Sequence, residues 1–314
     1  MPRLRVLVFR TDERWLDAFT RGGHDYLVPA GPGHHALPGA ARAVPPEGLA
    51  DAGVDVAVLQ RPEELELVTR WLGRCPGRDL PAIYVEHRAP AGAVPDSRHP
   101  LADRHDICLV HVAHFNELMW DAGTTPTTVI EPGIPDPGEL YSGELARAAV
   151  LLEWPLKRPR MSGTDLLPRF AEGAELDVFG TGLAGLNAAL NLGEHRLYTV
   201  CGQTGRQLHE AMARRRVYLQ PARWTAPDLA LVEAMQLGMP VVGLATTETA
   251  RMVPPEAGLV STAIDEVTAA LRELVGDRAM ARQQGKQARE YALTRYGLEP
   301  FLRRWDDLLR HTAR

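Results

Sequence analysis

The sequence predicts an α/β protein built as two doubly wound parallel sheets, one in each half of the chain. Short β-branched runs alternate with longer segments of helical period through almost its whole length, the pattern of parallel strands joined by crossover helices. The 314 residues leave room for two domains, each able to bury a core of its own. Between them, Glu131-Pro132-Gly133-Ile134-Pro135-Asp136-Pro137-Gly138 holds three prolines and two glycines in eight residues. Neither a helix nor a central strand passes through such a segment, so it reads as a linker.

The first series opens with an apolar run at 4–9, a helical segment at 13–21 and a strand at 25–28. Residues 29–46, rich in Gly, Pro and Ala, read as a long surface loop. Strands resume at 54–59, 82–85, 107–112 and 127–130, with helices at 62–72 and 114–122 among them. After the break, strands are expected at 148–152, 176–179, 197–200, 217–219 and 240–244. Helices are expected from 163, after 185, at 204–213 and up to 237. Beyond about 264 the chain reads as helical throughout and closes on an amphipathic stretch at 298–310.

Composition removes several classes. Hydrophobic residues at 45% and charged residues at 24% are those of an ordinary folded globular chain. With 35 basic against 40 acidic side chains, the net charge of −5 carries no basic footprint for a nucleic-acid backbone. Cys75, Cys108 and Cys201 lack CxxC spacing, so they read as buried thiols rather than a disulfide framework or a zinc site. The apolar run at 4–9 is too short for a signal-peptide core, and no later stretch reaches the length of a membrane span. A cytoplasmic location is expected.

The most informative segment is 217–243. Thr225 and Asp228 have capping-box spacing, Pro227 suits a first helical turn, and Gly238 with Pro240 marks the stop. Leu229, Leu231, Val232, Ala234, Met235 and Leu237 occupy every face of the intervening helix, which implies burial. Glu233 lies four residues from both Leu229 and Leu237, so its carboxylate falls on an apolar stripe. An unpaired charge there is expensive. Its partner is either an arginine or the hydroxyl of a ligand.

In this segment the chain resembles the GT4-type glycosyltransferases (group 1) of the GT-B fold, which carry E-x-F-G-x-x-x-x-E-A-M-x-x-G-x-P-V-V. Glu233-Ala234-Met235, Gly238 and Pro240-Val241-Val242 match it in order and spacing. The resemblance implies two Rossmann-like domains whose parallel sheets face across a cleft. Residues 1–135 would form the acceptor domain and 136–296 the nucleotide-sugar donor domain, with a terminal helix, 297–314, crossing back to the first. It implies that Glu233 binds the ribose of a nucleotide-diphosphate sugar, and that the glycosyl group passes to a small-molecule or glycan hydroxyl with retention, without metal or cofactor.

The chain also departs from that pattern. The family's earlier glutamate is Thr225 here, followed by Ala226, and its Phe-Gly is Pro227-Asp228. Its Gly-Gly after the next strand is Thr247-Glu248. These positions would face the donor sugar, so they bear on donor choice or on activity itself. A non-catalytic nucleotide-sugar binder or helper subunit is therefore the alternative function.

Three further features carry chemistry. Lys157, Arg158 and Arg160 precede a helix expected to start at Gly163 to Asp165. Cations beside free helix amides make an anion site, and the resemblance implies a diphosphate clamp; otherwise this is a solvated basic turn. Phe179-Gly180-Thr181-Gly182-Leu183-Ala184-Gly185 has dinucleotide-loop spacing but lacks the acidic residue such a site wants after the following strand. That leaves an oxidoreductase as a distant third reading and Gly180 as part of a strand–helix turn at the donor. His87 ends a strand at the edge where α/β sheets bind ligands. The resemblance implies contact with the transferred sugar or acceptor; a structural histidine is the other reading. His87, His99, His111 and His114 also raise a metal site, but His111 and His114 straddle a strand–helix junction, and no metal is expected.

Overall fold

The structure, a computed structural model, describes residues 2–30, 37–225 and 227–314. The chain divides into two compact units, Met1–Pro135 with Tyr296–Arg314, and Asp136–Arg295.

In the first unit the described residues form a seven-stranded sheet. Its elements are β1 (Arg5–Val8), α1 (Glu13–Phe19), β2 (Asp25–Pro29), β3 (Ala41–Val44), β4 (Val56–Leu59), α2 (Glu63–Leu72), β5 (Ala82–Glu86), β6 (Cys108–His111), α3 (His114–Met119) and β7 (Thr127–Val129). The order is β3-β2-β1-β4-β5-β6-β7, with every pairing parallel. Side chains alternate between the two faces, as a strand's period of two requires. Val6, Val8, Ile83 and Val85 join one core cluster, whereas Leu7, Ala82 and Tyr84 join the cluster on the other face.

The loop expected at 29–46 is corrected in part. Residues 41–44 are a parallel edge strand against β2, and 31–36 lie outside the described residues. Ala-Arg-Ala-Val carries no β-branched run because its middle residues are exposed at the sheet edge.

In the second unit the described residues form a six-stranded parallel sheet, β10-β9-β8-β11-β12-β13. In chain order the elements are β8 (Leu145–Glu153), α4 (Pro159–Ser162), α5 (Leu167–Phe170), β9 (Leu176–Thr181), α6 (Leu186–Leu190), β10 (Leu197–Val200), α7 (Arg206–Ala213), β11 (Arg215–Gln220), α8 (Leu229–Leu237), β12 (Val241–Leu244), α9 (Thr249–Met252), β13 (Gly258–Ser261), α10 (Ile264–Gly276) and α11 (Arg278–Tyr296). The strand β13, Gly-Leu-Val-Ser, escaped the sequence reading because it too is a short edge strand, only partly buried. Val150, Val178, Val217, Leu219 and Val242 pack against Phe170, Leu271 and Leu274 in a continuous core.

The last helix, α12 (Leu298–Thr312), belongs to the first unit. Phe301, Trp305 and Leu309, four residues apart, point one apolar stripe into the core that holds Trp15 and Phe19. Asp306 reaches the buried ring of His24, 2.9 Å away. Among the described residues no helix is long and apolar enough to cross a membrane.

Two expected helix starts are corrected. The helix predicted from Gly163 is broken into short pieces. Gly163 ends α4 in a left-handed conformation, φ +73°, and a Cβ there would lie 1.8 Å from the Pro221 carbonyl oxygen. The amides of one long helix therefore do not gather at Gly163–Asp165. Likewise α8 begins at Leu229, not after Thr225. Asp228 is its N-cap, accepting the Ala230 N–H at 2.9 Å, and Pro227 stands outside the helix.

Candidate functional site

In the second unit the chain runs from β8 outward through β9 to β10, then returns to the other side of β8 with β11. The strand order thus reverses between β8 and β11. In open α/β sheets ligands bind outside the carboxyl ends of the strands at such a point. Three loops meet at this edge, and hydrogen bonds lock them together.

Arg223, after β11, donates its backbone N–H to the Met161 carbonyl at 2.8 Å. Its guanidinium donates to the Arg160 carbonyl at 2.9 Å and to the Asp165 carboxylate at 2.6 Å. Thr164 donates to the Pro155 carbonyl at 3.2 Å, and Thr246, after β12, donates to the Ala222 carbonyl at 2.7 Å. The three basic residues named from sequence ride on this scaffold with their charges in water. Lys157 and Arg158 are exposed, and Arg160 is 79% exposed while 3.5 Å from Asp165. The Lys157 ammonium sits 4.0 Å from the ring centroid of Trp154, a residue left 53% exposed. Arg223 was missed by sequence reasoning; its signal was a cation three residues past a strand's carboxyl end.

Gly180 lies in β9 with φ +126°, and a Cβ there would meet the Leu152 carbonyl oxygen at 2.0 Å. Its glycine identity is thus demanded by the close approach of β8. Thr225 and Pro227 are half-buried beside the α8 start, and Ala226 lies outside the described residues. Asp228 does two things: besides capping α8 it accepts the Gln220 amide at 2.8 Å, tying the helix to the end of β11.

Glu233 is corrected in its surroundings. Its side chain is 18% exposed, and His209 Nε2 of α7 lies 3.6 Å from its carboxylate. Leu229 and Glu233 mark a half-open face of an otherwise buried helix.

In the first unit the strand order reverses between β1 and β4. Gln60 follows β4 and His87 follows β5, and His87 Nε2 lies 2.8 Å from Gln60 Oε1. Gln60 also donates its side-chain amide to the Phe9 carbonyl at 2.7 Å. Glu64, buried in the first turn of α2, accepts the N–H groups of Gln60 at 2.6 Å and Arg61 at 3.2 Å. Burial lifts the Glu64 carboxyl to about 7, outweighing those two hydrogen bonds. Burial likewise lowers His87 below its ordinary value, against Asp12 and Glu86, which favour the charged ring. Gln60 and Glu64 were not singled out from sequence, although Pro62 followed by acids is a helix-start signal.

The other histidines part company with His87. His99 Nδ1 accepts the Leu101 N–H at 3.1 Å, so its Nε2 donates to Glu86 at 3.1 Å. His111 is fully buried in β6, and burial pushes it down to about 4. His114 is exposed on α3. Among the described residues no group of three or more His, Cys, Asp or Glu side chains is arranged to hold a metal.

Residues 159–277 match the family model described as Glycosyl transferases group 1. That match lies wholly within the second unit. No curated protein matches the sequence. Among solved structures the chain is similar to a sucrose-phosphate synthase from Thermosynechococcus elongatus, at 15% identity and a TM-score of 0.72, over 98% of this chain and 99% of that one. It is similar to Anabaena HepE, solved with UDP-glucose, at 14% identity and 0.71, over 98% of this chain and 100% of that one. A third is AviGT4, a glycosyltransferase involved in avilamycin A biosynthesis, at 16% identity and 0.63, over 99% and 98%. At these identities the likeness is one of fold, and that fold is GT-B, with two Rossmann-like domains. The glycosyl transferases group 1 match contains Arg160, Gly180, Thr225 to Asp228 and Glu233, and begins just after Lys157 and Arg158.

Proposed function

We propose that the protein moves a glycosyl group from a nucleotide-diphosphate sugar to a hydroxyl of a small molecule or glycan. The observation that carries this reading is the glycosyl transferases group 1 domain whose strand-reversal edge holds Lys157, Arg158 and Arg160 on loops locked by Arg223. A departing nucleoside diphosphate accumulates negative charge as the glycosidic bond breaks, and fixed cations stabilise that charge more in the transition state than in the bound substrate. Arg160 shares Asp165 with Arg223, which leaves Lys157 and Arg158 the least engaged cations of the cluster.

In this reading Glu233 accepts hydrogen bonds from the ribose hydroxyls, and Gly180 brings strand backbone close to the donor. Thr225, Ala226, Pro227 and Asp228 stand where the family recognises donor sugar, with Asp228 already engaged by α8 and Gln220. His87 orients the sugar or acceptor. Retention of configuration, and independence of metal and cofactor, are part of the proposal, as is a cytoplasmic site of action.

Calorimetric titration with nucleoside diphosphates and their sugars tests it. Binding of at least one, weakened at least tenfold by Glu233→Ala, is expected, because a hydrogen bond to a charged group is worth roughly 1.5–3 kcal/mol. Absence of binding by any of them rejects the reading. Binding without transfer or hydrolysis across a broad acceptor panel assigns the helper function instead, which the replacement of the family's glutamate by Thr225 favours.

A further inference from the structure

The proton on His87 can be assigned from its neighbours. Gln60 donates its side-chain nitrogen to the Phe9 carbonyl at 2.7 Å, and a carbonyl only accepts. The amide is therefore fixed in rotation, with its oxygen turned toward His87. That oxygen also only accepts, so His87 Nε2, at 2.8 Å, must be the donor. Gln60 has little freedom to turn. It is buried, and the Glu64 carboxylate holds its backbone N–H at 2.6 Å and the next N–H at 3.2 Å. The Trp15 ring meets the imidazole edge to face at 5.2 Å and limits the ring's own rotation.

The second ring nitrogen is in a different position. No hydrogen-bond partner of His87 Nδ1 is found among the described residues, and Nδ1 is not one of the buried polar atoms left without a partner. It is open to a ligand.

We propose that Gln60 is a positioning residue that holds His87 as the Nε2–H tautomer, so that Nδ1 presents its lone pair to a ligand hydroxyl. That the hydroxyl belongs to the sugar or its acceptor rests on the function proposed above; the tautomer does not. The charges around the ring are Asp12 ahead of α1, Glu86 and Arg88 on either side in the chain, and Glu64 beneath Gln60. Burial, in the same direction as Arg88, outweighs Asp12 and Glu86 and keeps the ring neutral, which leaves the lone pair available.

The test is long-range ¹H–¹⁵N NMR of the full-length protein labelled at histidine, with the His87 signals identified by their loss in His87→Phe. In the wild type the expected spectrum has the proton on Nε2 and a bare Nδ1 at neutral pH. Gln60→Glu places a carboxylate opposite Nε2, which should raise the His87 titration midpoint by about one pH unit or more and protonate Nδ1 in that interval. The acidic limb of kcat/KM should move up with it, a shift that a merely structural loss does not produce. A wild-type proton on Nδ1 overturns the proposal without any variant, as does a Gln60→Glu protein whose His87 titrates where it did before. The spectra need no sugar donor. The expected tautomer in a protein that transfers nothing therefore upholds this assignment and overturns only the transfer reading.

Discussion

Glu233 on α8 and His209 on α7 face each other at 3.6 Å, with side chains 18% and 19% exposed. A carboxylate that its own helix would leave on an apolar stripe is thereby met by an imidazole from the neighbouring helix.

The pair makes a graded prediction. His209→Ala removes a partly solvated interaction worth less than about 1 kcal/mol and should weaken nucleoside-diphosphate binding by less than tenfold. Glu233→Ala removes the proposed ribose contact and should weaken it by more. Calorimetry on both variants checks the ranking, and the reverse order would move the ribose contact from Glu233 to His209.

Asp228 connects two elements through one carboxylate. Asp228→Ala removes the cap on Ala230 and the bond from Gln220 together. The expected loss is about 1–3 kcal/mol of stability. Urea unfolding of the variant measures it, and Asp228→Asn, which retains an oxygen for the cap, should recover part of the loss.

Glu64 makes stability depend on pH in an unusual direction for a carboxylate. Its folded value is lifted from 4.5 to about 7. Between those values the folded protein keeps a proton that the unfolded chain has released, so this group's contribution is fully present below about 4.5 and is lost as pH rises toward 7. The difference is on the order of 3 kcal/mol. Glu64→Gln, which titrates nowhere in this range, should gain stability relative to the wild type as pH rises from 5 to 8. Denaturation at both pH values checks it; a constant difference between the two proteins would contradict it.

Gly180→Ala should destabilise the second unit by roughly 1–3 kcal/mol, since a left-handed backbone and a carbonyl oxygen both reject the new methyl. A lowered Tm with donor affinity preserved in the remaining folded protein would separate packing at this glycine from contact with the donor.

Much of the fold was legible along the chain. Runs such as Val-Ala-Val-Leu at β4 and Val-Val-Gly-Leu at β12 are buried throughout, so their residues carry the whole signal locally. The edge strands β3 and β13 were not legible, because an exposed strand need not be apolar. The cap of α8 was placed three residues early because Thr225 and Asp228 both have capping side chains, and only the extended backbone at Asp228 and its bond to Ala230 choose between them.

By itself the sequence determined which buried segments become the central strands and the long helices, and that one carboxylate, Glu233, enters a nearly apolar helix. Such choices depend on the period of burial over neighbouring residues, which short windows contain. Only the tertiary structure decided who meets whom. Gln60 and His87 are 27 residues apart along the chain and 2.8 Å apart in space because β4 and β5 lie side by side. Arg223 closes on Asp165 across 58 residues because β8 and β11 are neighbours where the strand order reverses. A hydrogen bond depends on ångström distances, and strand pairing, not spacing along the chain, sets those distances.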